Sequence, residues 1–256
     1  MKRIMIVILI VLFLGLLLFF MGSFNTIPDT KDPALNKKKH ADYPWKVHNI
    51  AKDFTLLDVW EFPILADKSK NQDFHFFLKI MRQQDKNYLK KGLSPRLLAA
   101  GFLVVLRNIM GKVFSLDKNV NTLPIPGCKE TSLRDRLSQE DREKNLAEKE
   151  IKKNQIERGF RIVYLYENES LWELSNNTVH CLMHFGWVHK YDKYYTAQLA
   201  VYVKTRGWLG CVYMKLIMPF RRHIIYPVLM DYVKSRWNEC CKGRQKKIKK
   251  RVDKSK

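Results

Sequence analysis

The stretch that most constrains this chain is Thr178 to Lys204. From Thr178 to Val188 the side chains fall into two alternating sets. One is Val179, Cys181, Met183, Phe185 and Trp187; the other is His180, Leu182, His184, Gly186 and Val188. Successive residues of a strand point to opposite faces, so this is a strand with an apolar row backed by a mixed one. Tyr194 to Lys204 repeats the arrangement, with Ala197, Leu199, Val201 and Val203 on one face and Gln198 and Tyr202 on the other. The short turn Lys190 to Lys193 joins the two runs, and a looser strand, Arg161 to Glu167, precedes them. With further turns at Glu167–Glu169 and Asn176–Asn177, the pattern reads as three neighbouring strands of an antiparallel meander.

Upstream, Phe54 to Leu65 reads as a strand, and Pro63 near its end marks it as an edge. Asp73 can cap a helix whose apolar face is Phe74, Phe77, Leu78 and Met81. Ser94-Pro95 starts a second helix through Leu97, Leu98, Phe102, Leu106 and Ile109, with Gly111 at its C-terminal cap. Leu123 to Gly127 is a turn. Ser132 to Asp135 and Ser138 to Asp141 each resemble a capping box, inside a stretch dense in mixed charge that reads as a solvated helix or mobile excursion. Gly207 ends the sheet. A long helical stretch follows from Trp208 to about Trp237, interrupted at Pro219 and Pro227.

At the N-terminus, Lys2 and Arg3 precede an unbroken apolar run from Ile4 to Met21. At about 18 residues it is long enough to cross the ~30 Å of a bilayer's hydrocarbon core as a helix. The bulky residues at its end fit an uncleaved anchor better than a cleaved signal. The flanking charge places the soluble domain outside the cytoplasm, against the pull of Lys37 to Lys39 on the other side. The expected organisation is a transmembrane anchor over 1–22, a tether over 23–42, a domain over 43–238 with a charged excursion at 130–158, and a basic disordered tail over 239–256. The formal net charge is +22, with 47 Lys and Arg against 25 Asp and Glu, and it favours anionic partners. Lys242 to Lys256 would meet anionic lipids. The tail lacks interleaved aromatics, and no nucleic acid partner is expected. With 46% hydrophobic residues the chain can bury a real core. The five cysteines, Cys128, Cys181, Cys211, Cys240 and Cys241, are odd in number and form no CxxC pair, which reads as unpaired thiols.

The order strand, two helices, strand meander, long C-terminal helix is that of the helix-grip, an α+β fold. The runs Thr131 to Leu137 and Asn177 to Val188 sharpen the likeness. So do Ala200 to Lys204, Gly207 to Gly210, Tyr213-Met214, Pro219 to Arg221 and Tyr226 to Met230, in this order. Over about Trp45 to Met230 the chain resembles a bacterial family of unknown function in the START-like (SRPBCC) superfamily. A related domain follows NAD-binding reductase-like domains. The resemblance implies a curved antiparallel sheet gripping the C-terminal helix, with a cavity between them. The apolar N-terminal segment and the basic tail are not part of the family pattern.

The site candidates follow from that cavity. Trp187, Tyr202, Tyr213 and Phe220 could line it, or could be ordinary core. Arg221 offers a planar donor fork for a carboxylate or phosphate, or extends to the surface. His180, His184 and His223 are the acid–base candidates, because imidazole titrates near neutrality. His180 and His184 cannot share one metal ion, since residues four apart on a strand are ~13 Å apart; no metal and no cofactor is expected. No nucleotide loop, zincin helix or nucleophile elbow is present. The sequence therefore points to a membrane-anchored binder of a small apolar or amphipathic ligand. The alternatives are a cyclase- or hydrolase-type enzyme using the same cavity, and a membrane-surface scaffold acting through the tail.

Overall fold

The computed structural model describes residues 33–82, 129–148, 156–157 and 159–254. Helices α1 (Pro33–Asp42) and α2 (Lys46–Ile50) open this part of the chain. Strands β1 (Thr55–Glu61) and β2 (Ala66–Asp67) and helix α3 (Phe74–Arg82) follow. A 3-10 turn (Leu133–Arg136) and helix α4 (Gln139–Glu143) lie in the next described stretch. Then come β3 (Ile156–Glu157), β4 (Phe160–Leu165), β5 (Glu169–Ser175), β6 (Val179–Tyr191) and β7 (Tyr194–Thr205). Helix α5 (Gly207–Phe220), a π-helical turn (Arg221–Ile225) and α6 (Tyr226–Lys254) complete it.

The strands form one seven-stranded sheet in the order β1-β7-β6-β5-β4-β3, with β2 also paired to β7. Every pairing is antiparallel. The chain is thus α+β, and the first strand closes the sheet beside the last one. The meander has one strand more than the alternation suggested. Its turns at Glu167–Glu169 and Asn176–Asn177 bracket β5, whose buried Glu169 and Glu173 hide it from a search for apolar alternation.

The two faces of the sheet carry different cores. On one, Ile162, Trp172, Phe185, Leu199, Val201 and Val203 pack against Phe74, Phe77, Leu78 and Met81 of α3 and against α6. Helix α6 contributes Tyr226, Met230, Val233 and Trp237, the i, i+4, i+7, i+11 stripe of an amphipathic helix. On the other face, Leu171, Leu182, Val188 and Ala200 meet Trp45, Val47, Ile50 and Phe54 of the N-terminal layer and Leu133 and Leu137 of the 129–148 segment.

Local signals explain several boundaries. Asp73 accepts a hydrogen bond from the Phe76 amide at 2.7 Å, which caps α3. Ser138 and Asp141 form a reciprocal capping box at α4, whereas Ser132 caps only the 3-10 turn. The π-turn lies between Pro219 and Pro227. Neither proline has an amide to complete the regular ladder, and the helix widens by one residue there. Gly207, at φ 63°, makes the exit from the sheet that a side chain would resist.

Several expectations need correction. The expected transmembrane helix, Ile4 to Met21, lies outside the described residues. Among those described, no helix is long and apolar enough to cross a membrane. Even α6, with 29 residues, is studded with Asp231, Lys234, Arg236 and Glu239. The fold is α+β without a demonstrated membrane span, and the single-pass, extracytoplasmic placement is not supported. The expected tether contains α1, whose Asn36 and His40 are buried. The charged stretch is docked along residues 129–148 because Leu133, Leu137 and Ala147 are buried and the Leu146 amide donates to the Leu165 carbonyl at 2.9 Å. The core stripe of the C-terminal helix lies after the π-turn rather than before it. Phe220 is buried and Ile217 half-buried, while the side chains of Tyr213 and Leu216 fall outside the description. The helix does not stop near Trp237 but continues to Lys254, through most of the basic tail. The helix expected at Ser94 to Gly111 and the Leu123 to Gly127 turn lie outside the described residues.

Candidate functional site

On β6, His180 and His184 point to the face covered by the N-terminal layer, and both are fully buried. On the neighbouring β5, Glu169 and Glu173 point the same way. The register sets Glu169 opposite Gly186 and Glu173 opposite Leu182, so each glutamate reaches the histidine two residues along β6. His184 Nε2 donates to Glu169 Oε2 at 2.9 Å, and His180 Nε2 to Glu173 Oε2 at 3.2 Å. Each histidine therefore has its own carboxylate, and the same diagonal pair occurs twice, four residues apart.

Around Glu169 the bonding is dense. Tyr164 OH donates to Oε2 at 2.7 Å, and the Lys46 amide donates to Oε1 at 3.0 Å. Burial acts to raise this carboxyl, but the His184 bond and charge and the Lys46 and Tyr164 bonds outweigh it and hold it below its ordinary range. Burial, with the Glu169 charge beside it, pushes the Tyr164 phenol well up.

His40 of α1 closes this cluster. Its Nδ1 donates to Gln198 Oε1 at 2.6 Å, and its Nε2 accepts from Tyr202 OH at 2.8 Å. Its ring lies 5.3 Å from that of His184 and 5.2 Å from that of His48. Burial, the facing His184 and, to a lesser degree, His48 lower the His40 pKa to about 3, against the gain from Gln198. The imidazole is accordingly neutral at physiological pH. Trp45 lies over both rings, 5.2 Å from His184 and 6.3 Å from His40. Gly186 makes room for it, since a Cβ there would come within 2.9 Å of the indole. His184 Nδ1 is buried with no hydrogen-bond partner.

The second pair, His180 with Glu173, is joined by Glu130 at 3.2 Å from His180 Nδ1. Arg206 donates to Glu130 at 2.6 Å, and the Leu133 amide to Glu173 at 3.0 Å. These contacts tie the 129–148 segment to the sheet.

Trp45 is also one wall of a groove of about 690 Å³. Strand β6 outruns β5 beyond Gly186, and its pairing with β7 continues to Tyr191 and Tyr194, so the hairpin projects past the sheet. The groove lies beside this projection. Tyr43 and Trp45 stack at 5.0 Å and 9° on one part of its lining, and Trp187 and Tyr195 lie parallel at 6.2 Å and 6° on another. Phe74 also lines it, 5.9 Å from Trp187. Lys68, whose ammonium lies 6.0 Å above the Tyr195 ring, is among its charged groups.

The sequence candidates therefore fall into three places. His184 and Tyr202 share the cluster around His40, and His180 lies in the pair beside it. Trp187 faces the groove. Arg221 and Phe220 belong to the C-terminal helix region. Arg221 is neither at the surface nor open to a ligand on all sides: it is 2.8 Å from Asp58, bonds the Tyr226 hydroxyl, and leaves Nη1 buried without a partner. Nearby Cys181 is a free thiol pushed up to about 11, chiefly by burial. His223 is half-buried in the π-turn. Among the described residues no three His, Cys, Asp or Glu side chains converge as a metal site. Sequence reasoning missed His40, Glu169, Glu173 and Trp45. Pro33 as a first helical residue and the i, i+4 spacing of Asn36 and His40 were the only available signals for α1.

A family model described as a protein of unknown function, DUF2867, matches residues 50–228. The chain belongs to this family. No curated protein and no solved structure matches it. The DUF2867 match contains both Glu–His pairs, Tyr202, Trp187 and Tyr195. His40, Tyr43, Trp45 and Lys46, which cover that face and wall the groove, precede it.

Proposed function

We propose that this DUF2867 protein is a START-like binding module that takes a small amphipathic ligand in the groove beside the β6–β7 hairpin. The antiparallel sheet with a C-terminal helix along one face fits a helix-grip domain. The observation that carries the reading is the aromatic lining. Tyr43, Trp45, Phe74, Trp187 and Tyr195 border a space of about 690 Å³, within the size of small-molecule sites. Flat rings give a planar or apolar body a large contact at little conformational cost, and Lys68 or His75 can meet a polar end. The site differs in place from the cavity expected between sheet and helix. There, the described side chains from Phe185 to Trp237 form a packed core.

Binding is favoured over turnover because the ionisable pairs do not face this space. His40 and His184 lie behind Trp45, and His189 is held by the Asp192 carbonyl at 2.8 Å.

The test is fluorescence titration with the amphipathic aromatic probe anilinonaphthalene sulfonate, on the full chain and on Trp187→Ala and Tyr195→Ala. Saturable binding weakened at least about tenfold in either variant supports the groove. Equal affinity in all three proteins removes it from the functional account.

A further inference from the structure

A second hollow, of about 280 Å³, lies on the other side of the 129–148 segment, where that segment folds against β4. Three arginines line it: Arg134 from the 3-10 turn, Arg142 from α4 and Arg161 from β4. Their surroundings differ from those of other arginines in the protein. Arg136, Arg206, Arg221 and Arg236 each meet a carboxylate within 2.8 Å. Arg142, exposed at the rim, bonds to the backbone carbonyls of Leu137 at 3.3 Å and Arg134 at 3.2 Å, and to no acid among the described residues. The guanidinium groups of Arg134 and Arg161 make no hydrogen bond or ion pair to any described residue, and Arg161 Nε is buried.

A charged donor that is buried without an acceptor is costly, and it is rare in folded proteins unless something else meets it. The neutral polar groups of the hollow cannot do so. Ser132 donates its hydroxyl to Glu173. Asn145 Oδ1 accepts from the Ala147 and Leu165 amides at 3.1 and 3.0 Å, and its Nδ2 donates to the Val163 carbonyl at 3.2 Å. Two acids, Asp135 and Glu148, also lie on its lining. What remains unspent in the hollow is guanidinium N–H, in the fork geometry that matches tetrahedral and carboxylate oxyanions.

We propose that this hollow is an anion site, which takes a phosphate-type group of a small molecule between Arg134, Arg142 and Arg161. It is separate from the aromatic groove, with Leu146 on the groove side and Asn145 on this one. An occupant would join β4 to the docked segment, so binding also fastens that segment to the sheet.

The experiment is isothermal titration of the full chain at low ionic strength with inorganic phosphate, and with acetate as a planar comparison. Arg161→Gln and Arg134→Gln are measured beside the wild type. Saturable phosphate binding is expected, weakened at least about tenfold in each variant, because each loses a charge-assisted contact. No saturable heat, or unchanged affinity in both variants, overturns the site. Acetate binding as tightly as phosphate overturns the phosphate assignment. If Arg161→Gln disturbs β4 and fails to fold, Arg134→Gln decides alone, since its residue lies outside the sheet.

Discussion

Strands β5, β6 and β7 present Trp172, Phe185, Leu199 and Val201 to one side and Glu169, Glu173, His180, His184 and Gln198 to the other, and both sets are buried. The side facing α3 and α6 is held by contact area and dispersion, which are non-directional. The side facing α1, α2 and the 129–148 segment is held by bonds of defined length and angle. A covering element there must supply matching atoms, as His40 does for Gln198 and Tyr202. Apolar helices can slide a little on the first face at small cost. On the second, a displacement leaves buried polar groups unmet, and each such group is costly.

The difference can be broken most forcefully at Phe185, which is fully buried between Trp172 and Phe77. Phe185→Ala should cost about 3–5 kcal/mol in urea unfolding, with no dependence on pH between 5 and 8. A cost below about 1 kcal/mol would mean that this face is not the main core.

The polar face should respond to pH instead. His40 sits at about 3 when folded and at its ordinary 6.5 when unfolded. The unfolded chain therefore binds a proton that the folded one refuses. This group's contribution is complete above pH 6.5, is lost as pH falls, and is gone near pH 3. The slope approaches about 1.4 kcal/mol per pH unit within that window. His40→Asn should flatten the decline between pH 6.5 and 5, where carboxylates contribute little, while Phe185→Ala should leave it in place. Equal slopes in wild type and His40→Asn would show that the proton is taken up elsewhere.

The smallest effect sharpens the boundary of the first face. Ile217, before the π-turn, is half-buried, whereas Val233, after it, is fully buried. Ile217→Ala should cost about 1 kcal/mol or less by the same unfolding assay, near the range of surface changes. A loss of about 3 kcal/mol would move the core stripe back to α5.

What was legible in the sequence followed from periodicity. The alternation in β6 and β7 assigned Phe185 and His184 to opposite faces, and the 3.6-residue spacing located Phe74 to Met81. The prolines at 219 and 227 marked the irregular turn. Both routes depend on apolar residues facing inward. They are blind where the inward residues are polar. Helix α1 buries Asn36 and His40 but exposes lysines, so it resembles a tether. Strand β5 buries Glu169 and Glu173, so it resembles a pair of turns. The 129–148 segment is charged everywhere except at its few anchors. The site candidates suffered the same way. His184 and Tyr202 were singled out, but their partners came from stretches read as linker and turn. Trp187 was assigned to a cavity beside the C-terminal helix, because nothing in the spacing shows that β6 is longer than β5.

The repeated glutamate–histidine diagonal has a consequence for how the hairpin finds its alignment. In the native pairing Glu169 meets His184 and Glu173 meets His180. A slip of two residues between β5 and β6 keeps the faces: in one direction it sets Glu169 and Glu173 directly opposite His184 and His180, and in the other it sets only Glu173 opposite His184. A slip of four restores one pair, Glu173 with His184 or Glu169 with His180, and strands the other two members in a dry interior. A slip of one turns every side chain to the wrong face. Two alignments keep both pairs within reach, the native one with its diagonal contacts and the one shifted by two in which the partners face each other directly. The apolar row behind them, Val179 to Trp187, tolerates even slips far better, so the polar residues of this sheet narrow several greasy alignments to the few that keep both pairs within reach.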